Sequence, residues 1–119
     1  MFALDSIVLY VESISASKKF YTELLGSSAQ ELSPTFLSFE LEAGLKLELK
    51  QRAQSLPPST TTGGGTEMCI RLHDEEALNR LFEEWRARGV GFAQPPTTLV
   101  FGRSFVALDP DGHRIRAFA

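Results

Sequence analysis

The segment Phe101-Gly102-Arg103-Ser104-Phe105 sets a guanidinium between two aromatic side chains, beside a glycine that lets the backbone turn into a strand with no side chain in the way. An arginine so placed can pair with a carboxylate and stack on a ring together, which lysine does less well. The alternative is a loop-end arginine bonded to backbone carbonyls. Other reactive types are sparse. His73 ends a strand and His113 follows a turn, and neither has a second histidine or a cysteine at metal-ligand spacing. Cys69 has no histidine expected beside it and reads as half-buried packing. Trp85 belongs to the apolar stripe of a helix. Gly63-Gly64-Gly65 lacks the Lys-Ser/Thr tail that a phosphate-cradling loop carries into its helix, so it reads as a linker.

The whole chain bounds what these residues can serve. At 119 residues with 43% hydrophobic content, it can build one core and not two independent domains, so a single domain over 1–119 is expected. A net charge of -3 without a basic block lacks the footprint of a nucleic-acid binder. One cysteine excludes an intrachain disulfide framework and fits a reducing compartment. No apolar run reaches membrane-spanning length, and the first residues have no basic flank followed by an apolar core. No membrane role and a cytoplasmic location are the expectations.

Positioning elements follow from periodicity. Ile7 to Val11 is short and β-branched, a strand; Ser13 or Ser15 then caps a helix to Leu25, with Phe20 and Leu24 on one face and Gly26 as its stop. Leu37–Leu41 and Leu45–Lys50 alternate with period two around Gly44. Residues 53–65, with Pro57-Pro58, a Ser/Thr run and three glycines, form a linker that joins a first module of about 1–52 to a second of about 66–119. The second module repeats the pattern. Met68, Ile70 and Leu72 alternate in a strand, and Asp74 caps a helix whose Leu78, Leu81, Phe82 and Trp85 share a face and which Gly89 ends. Strands at Val90–Ala93, Phe105–Leu108 and Arg114–Phe118 follow, the last two joined by an Asp109-Pro110-Asp111-Gly112 turn. The fold class is α+β, two tandem βαβββ modules.

Alternation divides the strands into two faces. Ile7, Leu9 and Val11, Leu37, Phe39 and Leu41, Leu45, Leu47 and Leu49, Met68, Ile70 and Leu72, and Ile115 are expected under the helices. Ser6, Val8 and Tyr10, Phe36, Ser38 and Glu40, Lys46, Glu48 and Lys50, Glu67, Cys69 and Arg71, Arg103, Phe105 and Ala107, and Arg114, Arg116 and Phe118 are expected on the other face, which is either a solvent face or a ligand face.

The closing hairpin over 101–116, on two βαβββ halves, resembles the vicinal-oxygen-chelate superfamily of glyoxalases, extradiol dioxygenases and antibiotic-binding resistance proteins. The stretches Ser17-Lys18-Lys19-Phe20-Tyr21, Ser33-Pro34-Thr35-Phe36 and Leu81-Phe82-Glu83-Glu84-Trp85 are most similar to its metal-free antibiotic-sequestering members. The resemblance implies a curved, cup-shaped mixed sheet with helices on the convex face. It also implies a ligand held in the cup and a cleft shared by two subunits. The metal-ligand places of the metal-dependent members fall on Ser6, near Glu48, on Glu67 and on Arg116, and a guanidinium among two carboxylates is no site for a divalent ion. Phe36 falls at an aromatic place of the third strand, whereas Lys50 stands where the phenazine-binding relative has a stacking tryptophan.

The expectation is therefore a metal-free, cofactor-free binding protein, a homodimer that takes a planar or anionic antibiotic-like small molecule. Arg103 and Arg116 would supply charge and orientation, Phe36, Phe101 and Phe105 apolar contact, with Lys50 beside them, and Glu48 and Glu67 would fix the arginines. A metal-dependent lyase or dioxygenase of the same superfamily is the enzymatic alternative, and an interaction module with an empty cup is a third.

Overall fold

The computed structural model describes residues 1–119. Strand β1 (Ser6–Val11) leads into helix α1 (Ile14–Leu25). The Ser13 hydroxyl accepts from the Ala16 amide at 3.2 Å, and Gly26 closes the helix with φ of 67°. Ser17 and Tyr21 are its buried residues, four apart, while Phe20 and Leu24 flank them half-buried. Tyr21 reaches Phe39, ring centroids 6.4 Å apart. Strands β2 (Gln30–Ser33), β3 (Phe36–Glu40) and β4 (Lys46–Gln51) complete the module. The sheet order is β1-β4-β3-β2, with β1 and β4 parallel and the other pairs antiparallel.

The second module repeats this order: β5 (Glu67–Arg71), α2 (Glu75–Ala87), β6 (Gly91–Leu99), β7 (Gly102–Leu108) and β8 (Arg114–Phe118), with sheet order β5-β8-β7-β6. Asp74 caps α2 by accepting from the Ala77 amide at 2.7 Å. Glu75 and Glu76 in the first turn and Arg86 in the last suit the helix dipole. Beneath α2, Phe105 meets Phe82, Trp85 and Phe92 at centroid distances of 5.7, 5.6 and 5.7 Å. These rings form the centre of that core.

Two elements differ from the sequence expectation. β6 runs on through Pro95-Pro96, which an edge strand with two register shifts tolerates. The expected linker begins as folded structure: Ser55 is buried and donates to the Arg52 carbonyl at 2.8 Å, and the Arg52 guanidinium grips both oxygens of Glu12 and the Ser59 carbonyl. The chain divides into compact units Met1–Gly63 and Gly64–Ala119, so the break falls within the glycine run. No helix is long and apolar enough to cross a membrane.

Candidate functional site

In each module the helix covers one sheet face and the register fixes what the other presents. In the first, Leu9, Val11, Leu37, Phe39, Leu47 and Leu49 are buried on the helix side, as their alternation predicts, whereas Ile7, expected with them, is 39% exposed at the start of its edge strand and Leu41 and Leu45 are half-buried at the strand ends. The opposite face carries three cross-strand rows. Tyr10, Lys50 and Phe36 form one; Val8, Glu48, Ser38 and Gln30 the next; Ser6, Lys46 and Glu40 the third. The Lys50 ammonium lies 5.1 Å from the Phe36 ring centroid, a cation–π contact. Lys46 pairs with Asp5 at 3.3 Å. Glu48 is only 8% exposed and neither a hydrogen bond nor an ion pair meets its carboxylate.

The second module's face away from α2 has the matching rows, Glu67, Arg114, Leu108 and Gly91; Cys69, Arg116, Val106 and Gln94; Arg71, Phe118, Ser104 and Thr97, with Val106 and Ser104 on β7 buried. The Arg71 guanidinium stacks over Phe118 at 4.5 Å. Arg116 donates to both oxygens of Glu67, at 3.2 and 3.1 Å, and to the Ser104 hydroxyl at 2.8 Å. Those bonds hold the Glu67 carboxyl below the usual carboxylate range; partial burial opposes the shift, and the charges of Arg116 and Arg114 add to it. The Gln94 side-chain oxygen is buried with no donor.

This register corrects part of the expected site. Phe105 pairs with Ala117 and is fully buried under α2, so it is a core residue and cannot line the open face. Arg103 shares that side, with Nε on Asn79 Oδ1 of α2 at 3.0 Å and Nη1 on Thr98 Oγ1 at 3.3 Å. Phe101 projects from the β6–β7 hairpin tip, 71% exposed. Phe36, Glu48 and Lys50 do share one face in the first module, and Glu67 and Arg116 one in the second. Of the two carboxylates expected to fix Arg116, Glu67 does so. Tyr10, Ser104 and Gln94 were not expected as site residues. Alternation already places Tyr10 on this face without giving it a role, whereas the other two depend on hairpin register.

The remaining reactive groups serve structure. Asp109 accepts from the Asp111 and His113 amides and from His113 Nδ1, each at 2.8 Å. Asp109, Asp111 and His113 thus cluster because one buried carboxylate organises the β7–β8 turn. His73 is exposed beside Asp74 and Trp85 is in the core, while Cys69, expected as half-buried packing, is exposed because its strand β5 pairs with β8 alone at the sheet edge.

The metal places can now be tested. In the first module Ser6 offers a hydroxyl and Glu48 a single carboxylate; in the second, Glu67 has both oxygens bonded to a guanidinium and Arg116 offers only donors. This donor set does not fit a divalent ion, which needs several neutral imidazoles or free carboxylates converging.

Two βαβββ modules with the same strand order define a protein of the glyoxalase-like α+β fold. The chain belongs to the Glyoxalase/Bleomycin resistance protein/Dioxygenase superfamily, whose model matches residues 3–117. It is 27% identical over 112 residues to the phenazine antibiotic resistance protein EhpR of Enterobacter agglomerans, covering 92% of this chain and 85% of that one. Among solved structures, protein ATC0852 of Agrobacterium tumefaciens superposes with a TM-score of 0.89 at 41% identity, over 100% of this chain and 98% of that one. A glyoxalase/bleomycin resistance protein/dioxygenase from Nocardioides matches at 0.82 and 26%, over 100% and 83%.

Proposed function

We propose that the protein is a metal-free binder that sequesters a planar, antibiotic-like small molecule, and that it works as a homodimer in the cytoplasm. The observation that carries this reading is the Tyr10, Lys50 and Phe36 row, which puts aromatic surface on the helix-free sheet face of the first module. The likeness to a phenazine resistance protein supports the same ligand class. Stacking on Phe36 requires no chemistry from the protein, and the guanidinium–carboxylate pair of the second module replaces the charge of an ion with a fixed hydrogen-bonded pair.

Titration with phenazine as the probe, followed by calorimetry with and without chelator, tests this. Binding should be indifferent to chelator and weaken by about 1 kcal/mol in Phe36→Ala, the scale of one aromatic contact. Chelator-sensitive binding would favour the metal-dependent lyase or dioxygenase, and unchanged affinity in Phe36→Ala would remove the stacking site.

A further inference from the structure

Glu48 has no counterion in a fold that elsewhere supplies one. The two modules superpose topologically so that Glu48 on β4 and Arg116 on β8 occupy the same place in their sheets, each in the middle row of the second strand. Arg116 is met by Glu67 from the neighbouring strand. The residue matching Glu67 in the first module is Ser6, which carries no charge to offer Glu48. The cations two residues away on β4 are both engaged elsewhere, Lys46 with Asp5 and Lys50 over the Phe36 ring. The Glu48 residue is mostly covered, yet its carboxylate oxygens are not closed off from solvent and meet no protein donor, so a donor from outside the chain can reach them.

We propose that Glu48 is the polar anchor of the ligand, and that the ligand is a planar heteroaromatic compound bearing a protonated nitrogen or an N–H group, rather than an anion. This rests on the binding role proposed above and names the chemistry that the same face selects. The anchor lies one row from Phe36 and Tyr10, and successive same-face residues of a strand stand about 7 Å apart. A fused-ring compound lying on Phe36 can therefore direct an edge nitrogen at the Glu48 carboxylate. A carboxylate directed at the anchor would meet Glu48 as a like charge, and a ring lying on Phe36 displaces the Lys50 ammonium from that ring toward solvent.

The test uses three tricyclic probes of similar size at neutral pH: 9-aminoacridine, protonated; phenazine, neutral; and phenazine-1-carboxylate, an anion. Wild-type protein should bind 9-aminoacridine at least about tenfold more tightly than phenazine-1-carboxylate, the factor expected of one charge-assisted hydrogen bond. In Glu48→Gln that preference should disappear, since the amide keeps the shape and loses the charge. The melting temperature of Glu48→Gln should stay near that of the wild type, because no protein group bonds to the Glu48 carboxylate and a structural glutamate would destabilise when replaced. Phenazine binding that depends on Phe36 but a wild type indifferent to probe charge would overturn this inference and leave the binding role standing. Failure of all three probes to bind would overturn both. A marked loss of melting temperature in Glu48→Gln would make Glu48 a structural residue and overturn the anchor alone.

Discussion

Glu67 and Arg116 hold their pair at the surface of the second sheet, with side chains 32% and 23% exposed. The depressed Glu67 pKa ties this pair to acid stability. Its contribution is fully present above the unfolded carboxyl value of 4.5 and is lost as pH falls through the lower folded value, where the carboxylate must take a proton. Solvent screening limits the contribution to about 1 kcal/mol or less. Glu67→Gln should therefore melt below the wild type at neutral pH, and the gap should close as pH is lowered from about 6 to about 3. Thermal melts of both proteins across that range check it; a gap independent of pH would mean that packing, not charge, ties Glu67 to Arg116.

At the scale of elements, Gly102 shows why the start of β7 has its sequence. Its φ of +133° lies where side chains are strained, and an added Cβ would meet the carbonyl oxygen of Ala119. That closeness comes from Arg103 and Ala119, which exchange amide-to-carbonyl bonds of 2.9 Å in both directions and extend the β7–β8 ladder to the last residue. Gly102→Ala should cost more than about 1 kcal/mol in chemical denaturation, because the strain and the clash act together. Gly65→Ala is the control, since Gly65 has ordinary backbone and open space, and it should be near neutral. The same hairpin shows what was legible in the sequence. Both helices could be read, because Ser13, Asp74, Gly26 and the three-and-four spacing are local signals. The first module's faces could be read from Leu alternating with charge along β4. β2 could not, since Gln30–Ser33 is almost wholly exposed and has no apolar alternation. The faces of β7 relative to β8 depend on the loop: with Leu108 opposite Arg114, Ser104 and Val106 join the Arg116 face while Phe105 turns to the core. Arg103 and Phe105 were assigned to the open face because a glycine-flanked arginine between phenylalanines looks the same from either side.

At the scale of the whole molecule, the apolar surface left in water bears on the proposed homodimer. Ile7 and Val8 stand part-exposed on β1, which pairs with β4 alone and so leaves one edge of its ladder open. Leu32 on the opposite edge strand β2, Leu56, and Val100 with Phe101 at the β6–β7 tip are exposed as well. Burying such residues against a second copy removes apolar area from water at about 25 cal/mol per Å² and covers strand edges that would otherwise template indiscriminate pairing. Light scattering at micromolar concentration should therefore report twice the chain mass of 13.2 kDa. Replacing Ile7 with lysine places a charge on the open edge strand and should shift the mass toward a single chain, since lysine on an edge is a standard block to strand pairing. A wild-type protein that stays at one chain mass across the accessible concentration range would contradict the homodimer, and the ligand would then have to be held by the residues of one chain.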